Sequence, residues 1–223
     1  MTGQPRFAVY FAPEDDTPLA HWGWSWLGRQ PRTTVYGPLP PDRAELVADA
    51  RHYGFHATLK APFRLAGQVD EAALRAAMAV FAARRRPFDL PLGLQDLHGF
   101  LALRPVRDLA ELDALAADCV RAFDRFRAPL DEAERRKRLA VSLTDRQRRH
   151  VDDWGYPYVF DDFRFHMTLT RRLDDGERAA VIATLAPVLT PVLAEPVAVR
   201  SVCLFRQDEG GPFVLAERYP FTG

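Results

Sequence analysis

The sequence predicts an α+β fold built as a duplication, with two mostly antiparallel sheets facing a central groove and helices outside. Three observations predict it. The tetrapeptide His56-Ala57-Thr58-Leu59 has a counterpart in His166-Met167-Thr168-Leu169, half a chain further on. Each copy lies in an apolar, aromatic-rich run that reads as a strand buried on one face. Each is then followed by a helical segment and two further strands, with little residue identity outside the motifs.

Residues 6–13 (RFAVYFAP) form the first strand, apolar and ended by proline, with a composition suited to the centre of a sheet. Residues 17–28 carry Trp22, Trp24 and Trp26 in an aromatic-rich helix closed by Gly28. Residues 41–50 follow as a helix with proline and acid near its start. The first motif strand, 53–60, ends before Pro62 and leads to a helix over 70–86 with Leu74, Met78 and Phe81 on one stripe. Residues 88–97 and 100–106, separated by His98-Gly99, read as a hairpin. The middle of the chain is helical by spacing over 109–126. A solvated helix over 131–138 comes next, whose acids precede arginines by four positions, as in Asp131 to Arg135. Thr144 then caps a short helix over 144–154. The second motif strand, 163–170, is followed by a helix over 174–189 and by strands over 197–205 and 213–219 around a Gly210-Gly211 turn. Residues 1–223 therefore read as one bilobed domain. Lobe one is mainly 1–107, lobe two mainly 158–223, with a helical linking segment over 108–157 and exchange of strands between lobes left open.

At 223 residues and 48% hydrophobic content the chain can bury a substantial core. Lysine plus arginine and aspartate plus glutamate balance at 30 each, which argues against a long nucleic-acid footprint and for a small or locally bound substrate. Met1 to Phe7 lack the features of a leader, and no apolar run is long enough to span a bilayer, so a cytoplasmic protein with no membrane partner is expected. Cys119 and Cys203 read as buried free thiols, too few for a disulfide framework or a cysteine-based zinc site.

Side chains alternate along a strand, so each motif histidine shares a face with its threonine, while Phe55, Ala57 and Leu59, and likewise Phe165, Met167 and Leu169, turn to the core. With six histidines and eleven threonines in the chain, a given His has Thr two places on by chance about 5% of the time. Two copies in matched strands therefore point to a site. By the same two-residue period Lys60 and Thr170 are expected to flank a bound phosphate. Tyr10, on the neighbouring strand, suits packing as readily as a sugar contact and is left outside the site. His21, His52, His98 and His150 lack the paired context and read as structural. No HExxH pair or cysteine cluster accompanies the motifs, and no metal is expected.

With its two His-x-Thr-x motifs on equivalent strands of a duplicated unit, the chain resembles the 2H phosphoesterase superfamily, which includes RNA 2′,3′-cyclic phosphodiesterases. Residues 53–63 and 165–170, together with 6–13 and Trp26-Leu27-Gly28, look most like the bacterial branch associated with phosphonate-utilisation operons. The resemblance covers nearly the entire chain. It implies that His56 and His166 are the catalytic pair, that Thr58 and Thr168 hold the phosphate, and that no cofactor takes part. The activity implied is metal-independent hydrolysis of a cyclic phosphodiester, a small cyclic phosphate or nucleotide in phosphonate metabolism, with one histidine as general base and the other as general acid. Two alternatives stay open: processing of an RNA 2′,3′-cyclic end, and a non-catalytic module that binds a nucleotide or phosphosugar. The extension before His56 and the segment 131–154 exceed a minimal member and are expected to wall or lid the groove.

Overall fold

The computed structural model describes residues 4–223; Met1 to Gly3, the start of the stretch read for a leader, lie outside the described residues. Strand β1 (Arg6–Phe11) is buried at every position after Arg6, the pattern of an interior strand covered on both faces. It pairs antiparallel with β2 (Ala57–Arg64) on one side and β8 (Ser201–Gln207) on the other. With β9 (Val214–Pro220) outside β8, the first sheet has the order β2-β1-β8-β9. The second sheet, β4-β5-β6, is also antiparallel and joins β4 (Leu92–Leu97), β5 (Phe100–Pro105) and β6 (Met167–Arg172). A short third ladder pairs β3 (Phe88–Leu90) with β7 (Val197–Val199).

Strands cross between the halves of the chain in every sheet. β8 and β9, from the second half, complete the sheet that holds the first motif, and β4 and β5, from the first half, complete the sheet that holds the second. A cut between 107 and 158 therefore separates no sheet from the other. Phe11, Phe55 and Leu59 share one hydrophobic cluster with Leu103, Phe165 and Met167, so the two sheets are built on a common core.

Helix boundaries follow local chemistry. α1 (Pro18–Trp26) starts from Thr17, whose side chain accepts the Ala20 N–H. The segment read as one helix over 41–50 is two, α2 (Pro41–Leu46) and α3 (Ala48–Tyr53), broken at the fully buried Val47. α4 (Glu71–Ala82) and α5 (Ala110–Phe123) bury the stripes that periodicity indicates. α6 (Glu132–Leu139) buries no residue, as its charge pattern requires. α7 (Asp145–Trp154) opens with a reciprocal capping box between Thr144 and Gln147 and ends at the left-handed Gly155. α8 (Asp175–Val192) opens with the same device, Asp174 with Glu177. No helix among the described residues is long and apolar enough to cross a membrane.

Both motif strands begin later than the sequence pattern suggests, so each histidine stands one residue ahead of its strand. Both also lose register just after their threonine. In the first sheet Tyr10 faces Thr58 and Val9 faces Lys60, which leaves Leu59 as an extra residue; in the second, Ala102 faces Thr168 but Phe100 faces Arg172, which leaves two extra residues on β6. At each slip two consecutive residues are buried, Leu59 with Lys60 and Leu169 with Thr170, so the alternation breaks there. Thr170 is therefore not a groove residue. It is 1% exposed, and its hydroxyl accepts the Leu101 N–H at 3.0 Å and donates to the Arg171 carbonyl at 2.8 Å, filling the gap in the ladder.

Thr170→Val keeps the shape and strands the Leu101 N–H. It is expected to lower unfolding free energy by about 1–3 kcal/mol in denaturant titration, and an unchanged midpoint and slope would show that the hydroxyl does not hold the bulge.

Candidate active site

The approach to His56 is set by Gly54, which has φ +87° and ψ 177°, a conformation open to glycine and strained for any other residue. A β-carbon there would also sit 2.8 Å from the Trp24 ring. In this conformation the Gly54 carbonyl accepts the Nδ1–H of His56 at 2.8 Å. The second copy repeats the contact with an ordinary residue: the Arg164 carbonyl accepts the Nδ1–H of His166 at 2.7 Å. A carbonyl only accepts, so each neutral ring carries its proton on Nδ1 and keeps the lone pair on Nε2. His56 Nε2 lies 3.4 Å from Thr58 Oγ.

Aromatic rings fix the planes of both imidazoles. Tyr10, the cross-strand partner of Thr58, stacks on His56 at 3.9 Å between centroids and an interplanar angle of 27°. Phe100 meets His166 edge-on at 5.8 Å. Tyr10 thus belongs to the site as the backing of His56, through a cross-strand position that the strand pairing reveals. His56, Thr58, His166 and Thr168 are all half-buried. Thr58 and His166, from different sheets, line one cavity of about 310 Å³ whose walls include Phe100, Tyr156, Tyr158 and Phe160.

Burial sets the electrostatics. It pushes His56 down to about 4 against the pull of the Gly54 carbonyl, and the positive charge of a protonated His166 and of Arg29 lowers it further. His166 is lowered from its ordinary value for the same first reason, opposed by the Arg164 carbonyl and reinforced by Arg104. Arg29, a residue that no sequence motif marks, is 5% exposed. Its guanidinium donates to the carbonyls of Arg51 (2.8 Å), Thr33 (3.0 Å) and Phe213 (2.8 Å), clamping the turn that precedes His56. Trp26 does a similar service in the second sheet, donating its indole N–H to the Leu169 carbonyl at 2.9 Å on the edge strand β6.

Lys60 does not reach the groove, and its expected phosphate contact is corrected. Beyond the bulge at Leu59 it points away, is 4% exposed, and pairs with Asp124 at 3.0 Å while donating to the Val120 carbonyl at 3.4 Å. It anchors β2 to the end of α5. Among the described residues no group of three or more His, Cys, Asp or Glu side chains is placed to hold a metal ion.

In ¹⁵N-resolved NMR both His56 and His166 are expected as Nδ1–H tautomers, with His56 titrating near 4 and His166 below its ordinary value. Gly54→Ala should disturb His56 alone; Nε2–H signals for either ring in the wild type would contradict the assignment.

Comparison with known proteins gives relatives and structures of several names. The chain is 41% identical over 236 residues to a protein of Janthinobacterium sp. (strain Marseille) named ribose 1,5-bisphosphate phosphokinase PhnN, covering 98% of this chain and 51% of that one. It is 37% identical over 210 residues to the protein of the same name from Laribacter hongkongensis (strain HLHK9), covering 92% of this chain and 49% of that one. The chain thus spans about half the length of these curated relatives. Among solved structures it is similar to E. coli LigT complexed with ATP, at 14% identity and a TM-score of 0.46 over 99% of this chain and 100% of that one. The complex of E. coli LigT with NADP+ matches at 15% identity and a TM-score of 0.46, over 99% of each chain. The model of the family described as protein of unknown function (DUF1045) matches residues 58–214, and the chain belongs to that family.

Proposed function

We propose that this chain is a 2H-type phosphoesterase that opens a cyclic phosphodiester without a metal, using His56 and His166 as its acid–base pair and Thr58 and Thr168 as donors to the phosphate. One observation carries the reading: each histidine gives its Nδ1–H to the carbonyl two residues upstream, so that Nε2 is the reactive atom in both copies.

His56, the ring held lower, is the base. Its Nε2 takes a proton from water as the water oxygen bonds to phosphorus. The bond from phosphorus to one sugar oxygen breaks, and His166, protonated on Nε2, gives its proton to that oxygen. The product is a phosphomonoester beside a free hydroxyl. The threonine hydroxyls donate to the non-bridging oxygens, where charge grows in the transition state. Both rings are lowered by burial, and a bound phosphate anion restores the proton to His166.

The relatives' name supports a ribose phosphate as the substrate class. Opening a cyclic diester that bridges two hydroxyls of a ribose phosphate leaves a ribose bisphosphate, the kind of compound named in the PhnN relatives. Neither lysine of this chain, Lys60 or Lys137, follows a glycine, so it holds no G-x-x-x-x-G-K-S/T phosphate loop. A kinase of that type would lie in the part of the relatives that this chain does not cover. The aromatic cavity wall of Phe100, Tyr158 and Phe160 favours a second reading, a nucleoside or RNA 2′,3′-cyclic end stacked beside the histidines.

Hydrolysis of ribose cyclic phosphates, 2′,3′-cyclic nucleotides and an RNA oligomer with a cyclic end, measured in chelator, tests this. His56→Ala and His166→Ala are each expected to lose about 10²-fold or more. Turnover that needs added metal, or that survives in either variant, would sink the reading. The free-enzyme pH profile follows from the signs of the shifts. kcat/KM falls on the acid side as His56 gains its proton near 4, and on the alkaline side as His166 loses its own below 6.5. The optimum is therefore expected on the acid side of 6.5, and an optimum above 8 would contradict the lowering of both rings.

A further inference from the structure

A second cavity, of about 430 Å³, opens beside the first and shares Tyr156 and Tyr158 with it. Its floor is the groove face of the first sheet. Arg6 faces Arg64 across β1 and β2, on the same ladder that pairs Tyr10 with Thr58. Arg6 and Tyr10 are four positions apart, about 13 Å of strand, and the Arg6 guanidinium lies 5.4 Å from the centroid of the Phe213 ring, which is 6.1 Å from that of Tyr10. Its roof is α6, which brings Lys137 and Arg138, and its inner rim is Tyr53, whose ring centroid lies 6.2 Å from that of His56.

The charge in this cavity is only partly matched, since five Lys and Arg side chains line it with two carboxylates, Asp131 and Glu134. Arg64 pairs with Glu134, and Arg127 with Asp124 at 2.8 Å. The other three cations have no ion-pair partner among the described residues. Arg6 donates to the neutral Gln207 at 2.7 Å, Arg138 lies 5.0 Å from the centroid of the Tyr156 ring, and Lys137 is exposed. Three cations converging from a strand and a helix on one concave space, next to the catalytic groove, make a receptor for an anion with several charges. The first cavity holds the motif residues Thr58 and His166 with two arginines, Arg164 and Arg172, whereas the second brings five Lys and Arg side chains and neither motif residue, so the two spaces suit different parts of one ligand.

We propose that Arg6, Lys137 and Arg138 form a second anion subsite, which holds a terminal phosphomonoester of the substrate while its cyclic phosphodiester lies between His56 and His166. The preferred substrate is then a small sugar carrying both groups. Arg138 is positioned by Tyr156, a wall of both cavities, so the segment around α6 and α7 acts as a specificity element over the groove. This proposal rests on the cyclic-diester reading of the site, and its test is arranged to separate the two.

The first arm compares hydrolysis of a ribose cyclic phosphodiester with and without a phosphate at C5, in the wild type and in Arg138→Ala and Arg138→Lys. The wild type is expected to favour the phosphorylated member by about tenfold or more in kcat/KM, the discrimination of one charge-assisted contact. Arg138→Ala should bring the ratio of the two members toward one, mainly through KM, and Arg138→Lys should recover part of it. Equal use of both members by the wild type, or a ratio unchanged in Arg138→Ala, overturns the subsite and leaves the chemistry standing. A larger effect of Arg138→Ala on an RNA oligomer with a cyclic end overturns it in favour of a strand backbone. The second arm is calorimetric binding of ribose 5-phosphate, which needs no turnover. Binding weakened about tenfold in Arg138→Ala and in Lys137→Ala supports the subsite even if no diester is hydrolysed, whereas equal binding by wild type and variants, or none at millimolar ligand, overturns it.

Discussion

The hydrogen bond from each histidine Nδ1–H to the carbonyl two residues upstream is the constraint on which the site depends. It fixes the tautomer, and with it which nitrogen faces a ligand. It also dictates backbone. Ahead of His56 the carbonyl is presented by a glycine in a conformation that other residues avoid, pressed against Trp24, and the preceding turn is held by four carbonyls gathered on the Arg29 guanidinium. Ahead of His166 the same bond is made without special backbone. The two copies are equivalent in chemistry and unequal in support, and the first ring is correspondingly the more deeply buried and the more strongly shifted.

The motif pairs were legible because His and Thr lie within one stretch of regular alternation, where a two-residue period is enough to put them on one face. The same period failed for Lys60 and Thr170, since an irregularity intervenes after each threonine and breaks the alternation there. A bulge leaves no consistent mark in a sequence that is apolar on both sides of it. Tyr10 was visible as a strand residue, and its role as the ring behind His56 depended on a register that only pairing reveals. Arg29 could not be found by pattern, because its partners are backbone carbonyls scattered from Thr33 to Phe213 and carry no side-chain signature. Helix caps were read more reliably: Thr144 and Asp174 act within three residues of themselves, the range in which sequence and structure correspond most directly.

Exchange of strands between the halves has a mechanical consequence. Each motif strand pairs with at least one strand from the other half of the chain or lies beside one that does, and the sheets share their core. The two histidines are therefore carried on a single packed body, with no hinge needed to bring them together. Preorganisation of this kind suits a reaction in which an acid and a base must act on opposite sides of one phosphorus atom. The less constrained part of the walls is the segment 131–158, where α6 buries nothing and Tyr158 is exposed.

Both rings sit below their ordinary pKa, so the ligand-free groove holds two bases and no acid at neutral pH. An anion corrects this. A unit charge at 4 Å in a medium of effective dielectric about 20 is worth about 4 kcal/mol, equivalent to about three pKa units, in the direction that favours the protonated ring. In the proposed reaction His166 is the ring that regains its proton when a phosphate enters. The cations around the groove act in the opposite sense, since Arg104 lowers His166 and Arg29 lowers His56, and a phosphate that neutralises neighbouring charge removes part of that opposition. In the proposed mechanism burial therefore does more than shelter the reaction: it keeps both rings unprotonated until the charge of the substrate converts one of them into the acid.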